Sequence, residues 1–156
     1  MYRRSAQFRR IVVGALLVVG VFVVFQVIRW SFSSEDSQVK GVVEDFYHYE
    51  QDSDFAGSWG LFHSSMKEKF NKSNYIQTRA HVFMNDFGVD TFTYKVGSPE
   101  ELGKWQMSQK GPSFQHVYKV PVVQSFKGKF GNFDIHQNVF VLKEKGEWRI
   151  VWDYAK

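Results

Sequence analysis

Residues 114–152 read FQHVYKVPVVQSFKGKFGNFDIHQNVFVLKEKGEWRIVW, and the period of that stretch decides the fold. Apolar β-branched and aromatic side chains recur at every second position, as they do in a strand with one buried face. Phe114 to Phe126 is expected to be one long strand, Lys127-Gly128-Lys129 its turn, and Phe130 to Lys143 the strand that returns. Lys145-Gly146 turns the chain again, and Trp148, Ile150 and Trp152 line a last strand. Pro121 has no N–H to give to a ladder, so it belongs at an edge or a bulge. A turn centred on Gly128 sets His136 opposite Val120 and His116 opposite Phe140.

Upstream the period changes. Val39, Val42, Val43, Phe46 and Tyr47 are spaced by three and four, giving an amphipathic helix capped by Asp36 or Ser37. Asp52-Ser53-Asp54 breaks it and caps a second helix carrying Phe55, Trp59, Phe62, Met66 and Phe70. A third starts at Ser73 or Asn74 and buries Tyr75, Ile76, Ala80, Phe83, Met84 and Phe87, with Gly88 as its C-cap. After Gly88 the alternation of Phe92, Tyr94 and Val96 announces strands; Leu102 to Gln109 is ambiguous. Three helices followed by three to five antiparallel strands predict an α+β domain at 39–156, with the helices on one face of a curved antiparallel sheet.

The N-terminal part is of another kind. Ile11 to Ile28 is an uncharged run of 18 residues whose one strongly polar side chain is Gln26. As a helix it covers about 27 Å, close to a hydrocarbon core of about 30 Å. A transmembrane helix is therefore expected at 11–30, after a basic tail at 1–10 and before a polar linker at 31–38. Arg3, Arg4, Arg9 and Arg10 precede the run with no acid among them, so the N-terminus is expected in the cytoplasm and the domain outside. The run exceeds the ~7–15 residues of a signal peptide, and Ser31-Phe32-Ser33 is a poor cleavage site. The reading is a single-pass protein of the cell membrane, in contact with lipid through its anchor.

Charge sharpens this. Five of the 20 basic residues lie at or before Arg29 and all 16 acids lie after it, so the remainder carries 15 bases against 16 acids, a net of −1. That excludes the basic stripe a nucleic acid requires. With zero cysteines, disulfides, thiolate metal sites and lipoprotein processing are excluded too. The 16 phenylalanines supply a core without staples.

Trp105, Tyr118, Asp134 and His136 are the candidates for a binding site. Asp134 and His136 lie two apart on one strand and so share a face, and with His116 and Tyr118 they are placed to line a pocket. His116 and His136 are nevertheless about 13 Å apart along the paired strands, too far to share a metal ion; no metal and no cofactor is expected. Trp105, in the polar segment Gly103 to Gly111, is either an exposed interface anchor or a core residue. His48, His63 and His81 fall on helices at no ligand spacing.

The order of elements resembles the nuclear transport factor 2-like superfamily, and within it the membrane-proximal N-terminal domain of methicillin-resistance-type penicillin-binding proteins. The resemblance rests on Val42-Val43-Glu44-Asp45-Phe46-Tyr47, Asp52-Ser53-Asp54-Phe55 with Trp59, Tyr75, the hairpin Val117 to Leu142, and Gly146-Glu147-Trp148-Arg149-Ile150-Val151-Trp152-Asp153. It implies a cone-like domain. The catalytic domain of those proteins carries Ser-x-x-Lys; here that tetrad occurs as Ser64-Ser65-Met66-Lys67, inside a helix and with neither a Ser-Asp-Asn nor a Lys-Thr-Gly partner after it. The resemblance therefore implies the non-catalytic accessory domain alone. Isomerases and cyclases of the superfamily use an acid with a nearby tyrosine, roles for which Tyr47, Tyr49 and Asp134 are the candidates. The expected function is a membrane-anchored extracytoplasmic interaction domain of the bacterial cell envelope that docks another envelope protein. The alternatives are a scaffold subunit of a secretion or conjugation channel, similar to inner-membrane scaffold proteins of type IV secretion, and a small-molecule-binding or isomerase-like cone domain.

Overall fold

Val39, Val43, Phe46 and Tyr47 lie along one stripe of α1 (Glu35–Gln51), and all four are buried. The computed structural model describes residues 19–20, 35–108 and 111–153, and its folded unit is Asp36–Lys156. The expected tail at 1–10, most of the span at 11–30 and the first half of the linker lie outside the described residues. Among the described residues no helix is long and apolar enough to cross a membrane.

Asp54 caps α2 (Phe55–Gly60), its carboxylate accepting the Gly57 N–H at 2.9 Å. Here the expectation of three helices is corrected, for the helix expected over Phe55 to Phe70 is two. Leu61 to His63 interrupts it and pairs with the sheet, the Ile150 N–H donating to Leu61 O and the His63 N–H to Ile150 O, both at 3.0 Å. Phe62 stays in the core, fully buried, but reaches it from an extended segment that closes one side of the sheet. Helix α3 (Ser64–Lys69) follows, then α4 (Lys72–His81), capped by Asn71. Val82–Phe87 widens into a π-helical turn that ends at Gly88, whose φ of +62° suits a residue without Cβ.

Five strands form one antiparallel sheet: β1 (Thr93–Val96), β2 (Glu100–Gln106), β3 (Ser113–Gly128), β4 (Gly131–Glu144) and β5 (Glu147–Trp152). The order is β1-β3-β4-β5, with β2 beside β1 along the same side of β3. Where β1 gives way to β2, Gly97, Ser98 and Pro99 oppose only Val120 and Pro121. This bulge is where Pro121 belongs. Its carbonyl accepts the Gly97 N–H at 2.8 Å, so its missing N–H faces the bulge and costs the β4 ladder nothing.

The β3–β4 turn corrects the expected register. Gly128 pairs with Gly131 around a two-residue loop, Lys129-Phe130, so His136 lies opposite Val123, three residues from the expected Val120. Gly131 takes a φ of +125°, which few other residues adopt, and Phe126 stacks face to face on its partner Phe133 at 5.1 Å. At the second turn Lys145 and Gly146 both have positive φ, as a type I′ hairpin demands.

Side chains of α1, of α4 and of the π-helical turn meet the face that carries Phe126, Gln137 and Trp152. Phe46, Phe62 and Trp152 pack edge to face or tilted within 5.7 Å of one another. Farther along, Phe83 stacks on Phe55, Phe92 and Phe126. His116 has a φ of +51°, and the in–out alternation of β3 reverses there. Trp105 and Phe114 stack on each other, and Trp105 stacks on Phe140 at 4.3 Å, so the far face of the sheet is covered too at that end.

The bulge gives a sharp test. A Cβ on Gly97 would lie 2.7 Å from Pro121 Cγ and 3.1 Å from its carbonyl oxygen. Gly97→Ala is expected to destabilise the domain by about 1–3 kcal/mol, whereas Gly103→Ala, with nothing within 4 Å of its added Cβ, should melt like the parent.

Candidate functional site

The apolar stripe of α1 ends on an acid. Glu50 lies one turn beyond Phe46 and Tyr47, on the same buried face, and its side chain is fully inaccessible. Arg79 occupies the matching place on α4, one turn after Tyr75. Its guanidinium grips Glu50 Oε2 through both Nε, at 2.7 Å, and Nη2. The other carboxylate oxygen, Oε1, accepts from Ser58 Oγ at 2.5 Å and from Tyr75 Oη at 2.7 Å. A carboxylate inside a protein needs this many donors, because desolvation costs more than one pairing returns. Burial works against the charge of Arg79, but Glu50 and the two tyrosines outweigh it and hold the guanidinium pKa above its ordinary value. Burial, then Glu50, pushes the Tyr75 hydroxyl far above the usual tyrosine range. Tyr47 is raised as well, by burial first, and donates to Gln137 Oε1 at 3.1 Å. Both phenols therefore stay protonated near neutrality. With both carboxylate oxygens committed, Glu50 ties α1, α2 and α4 together and has no lone pair aimed outward.

A cleft of about 630 Å³, open to solvent on one side, lies between the Gly88–Thr93 segment and the β3–β4 hairpin. Val89, Phe92 and Phe126 give it apolar walls; Asp90, Lys127 and Asp134 add charge. It lies at the C-terminal end of α1, where Gln51 Nε2 donates to Phe92 O at 2.6 Å.

The four candidate residues do not converge. The observed register pairs Tyr118 with Val141 and Ser125 with Asp134, so Asp134 and His136 lie on the opposite face from Tyr118. Asp134 is exposed on the wall of the cleft; His136 is exposed but outside it. Tyr118 is buried edge-on against Trp148 at 5.5 Å. Trp105 is half-buried between Phe114 and Phe140. His116 faces Glu101 at 3.2 Å, not Phe140, whose partner is Lys119. Tyr49 is 39% exposed. Arg3, Arg4, Arg9 and Arg10 lie outside the described residues. In the Ser64-Ser65-Met66-Lys67 tetrad, the Lys67 ammonium donates to Gly60 O at 2.9 Å and sits over the Trp59 ring. Among the described residues no group of three His, Asp or Glu side chains converges as a metal site requires.

By composition alone Glu50 and Arg79 are two charges among many. The signal was present: an acid continuing the apolar stripe 39–43–46–47, and a base between Tyr75 and Phe83 at helical spacing. His63, expected on a helix, lies just before one. It caps α3, Nδ1 accepting the Ser65 N–H at 3.1 Å, while Nε2 lies 3.6 Å from Glu144 Oε1. Burial lowers its pKa below the ordinary 6.5, against the pull of Glu144.

No family model matches this chain, and no curated protein matches it.

Two outcomes follow for stability. Arg79→Ala leaves Glu50 buried and unpaired and is expected to cost about 3–5 kcal/mol, while Glu50→Gln with Arg79→Met recovers much of it; urea melts of the three proteins measure this. His63 is held neutral in the folded state, so the unfolded chain binds more protons as the pH falls below 6.5, and stability drops there. His63→Asn, which keeps an acceptor for the cap, should flatten the fall in melting temperature between pH 7 and 5.

Proposed function

We propose that this chain is a single-pass, membrane-anchored, extracytoplasmic domain of the bacterial cell envelope that works by binding another envelope protein, with a cone-like fold of the nuclear transport factor 2-like kind. The observation that carries the reading is how the space between helices and sheet is used. Phe46 packs on Phe62 there, Phe83, Phe92 and Phe126 pack on one another, and the acid within it is fully engaged by Arg79, Tyr75 and Ser58. Side chains that fill an interior stabilise a scaffold; recognition is then left to the surface. The uncharged run Ile11 to Ile28 and its four flanking arginines support the anchor and its orientation.

A second reading, small-molecule binding, is favoured by the cleft of about 630 Å³, a volume within the usual range of ligand sites. It gives Asp134 the role of a polar contact on an apolar wall.

Carbonate extraction of membranes tests the anchor: the intact chain is expected in the pellet, and release of the intact chain into the supernatant overturns it. Pull-down after crosslinking in intact cells tests the mode of action. Recovery of one envelope protein in constant ratio is the expected result, and recovery of the chain without any partner overturns it.

A further inference from the structure

The aromatic packing does not stop at the surface. Phe55, Phe83, Phe126 and Phe133 form a column in which successive rings lie 5.7, 5.8 and 5.1 Å apart and nearly parallel, at 14°, 25° and 12°. Its outer member, Phe133, is 36% exposed, and at the tip of the hairpin Phe130 is 93% exposed. Phe130, Phe133 and Phe87 rim a second cleft of about 240 Å³. A projecting ring and an apolar recess thus share one small surface. The tip is also held firmly: the Lys129 N–H donates to Phe87 O at 3.2 Å, and its ammonium to Asn85 O at 2.9 Å. An apolar group on a fixed support loses little entropy on binding, which is how interface anchors act.

Charge selects the occupant. The Lys129 ammonium sits over the projecting ring, Lys127 lines the larger cleft, and Asp86, Asp90 and Asp134 line the two clefts, which meet at Asn132. A surface built for a strongly charged partner would carry one dominant sign. This one carries a knob and a hole, and bases and acids, within the same patch. Such self-complementarity is what a two-fold contact between identical surfaces requires, since each element must meet its counterpart from the other copy.

We propose that the β3–β4 hairpin tip is a self-association surface: Phe130 of one copy seats in the recess beside Phe87 and Phe133 of a second copy, with lysines opposite aspartates around a two-fold axis. This goes beyond the interaction-domain reading, which concerns a different protein, and holds or fails independently of it.

The chain has no cysteine, so single introduced thiols report proximity cleanly. Cells producing the chain are oxidised with copper phenanthroline after Lys127→Cys, beside the tip, or Gln115→Cys, exposed at the other end of β3. Disulfide-linked dimer is expected from Lys127→Cys and little from Gln115→Cys. Adding Phe130→Asp to Lys127→Cys should lower the dimer yield by about tenfold, as loss of a central anchor does, while Phe130→Trp should retain it. Phe130 is nearly fully exposed, so an unchanged melting temperature checks that the variants fold. Equal crosslinking at both positions, or a Lys127→Cys dimer indifferent to Phe130→Asp, overturns the proposal. In the second case a protein of another kind, recovered in the pull-down, is left as the occupant of the patch.

Discussion

The pairing of Phe126 with Phe133 is the constraint on which the rest of this structure leans. Side chains on a strand alternate between faces, so a shift by an odd number of residues moves a whole strand's apolar set to the other side. The stacked pair, with Phe87 edge-on to both rings, sets which residues of β4 face the helices. Gln137 then meets Tyr47 of α1, Val139 brings Trp152 of β5 toward Phe46, and Asp134 and His136 turn to solvent. One aromatic contact thereby decides what is core and what is surface across three strands.

The second constraint is electrostatic. Glu50 and Arg79 could be replaced together by well-packed apolar residues with little loss of stability, since a buried ion pair returns roughly what its desolvation costs. Its effect is on specificity of packing. Arg79 must approach from α4, Ser58 from α2 and Tyr75 from the first turns of α4, so the acid accepts only one arrangement of three helices. The break at Leu61–His63 belongs to the same logic. It lets α2 end near Glu50 while Phe62 reaches the sheet beside Ile150.

These two devices leave the interior committed and place the accessible features at the hairpin end of the domain. The larger cleft, the exposed Phe130 and the three aspartates gather where the Gly88–Thr93 segment passes the β3–β4 tip. Loops and turns on a rigid support are where binding surfaces are found, because the scaffold meets the cost of ordering them.

What the sequence determined is the part written in local periods. The spacing of Val39, Val43, Phe46 and Tyr47, the caps at Asp54 and Gly88, and the alternation from Phe114 to Trp152 each act within a few residues, so the α+β order and most element boundaries were legible. Tertiary structure alone decided the register of β3 on β4, since Gly128 and Gly131 can each serve the turn and the Phe126–Phe133 stack belongs to the observed pairing. That choice separated Asp134 and His136 from Tyr118. It also decided that Glu50 finds Arg79, 29 positions away, because a buried charge is stable only beside its counter-ion and no local rule names a partner at that distance.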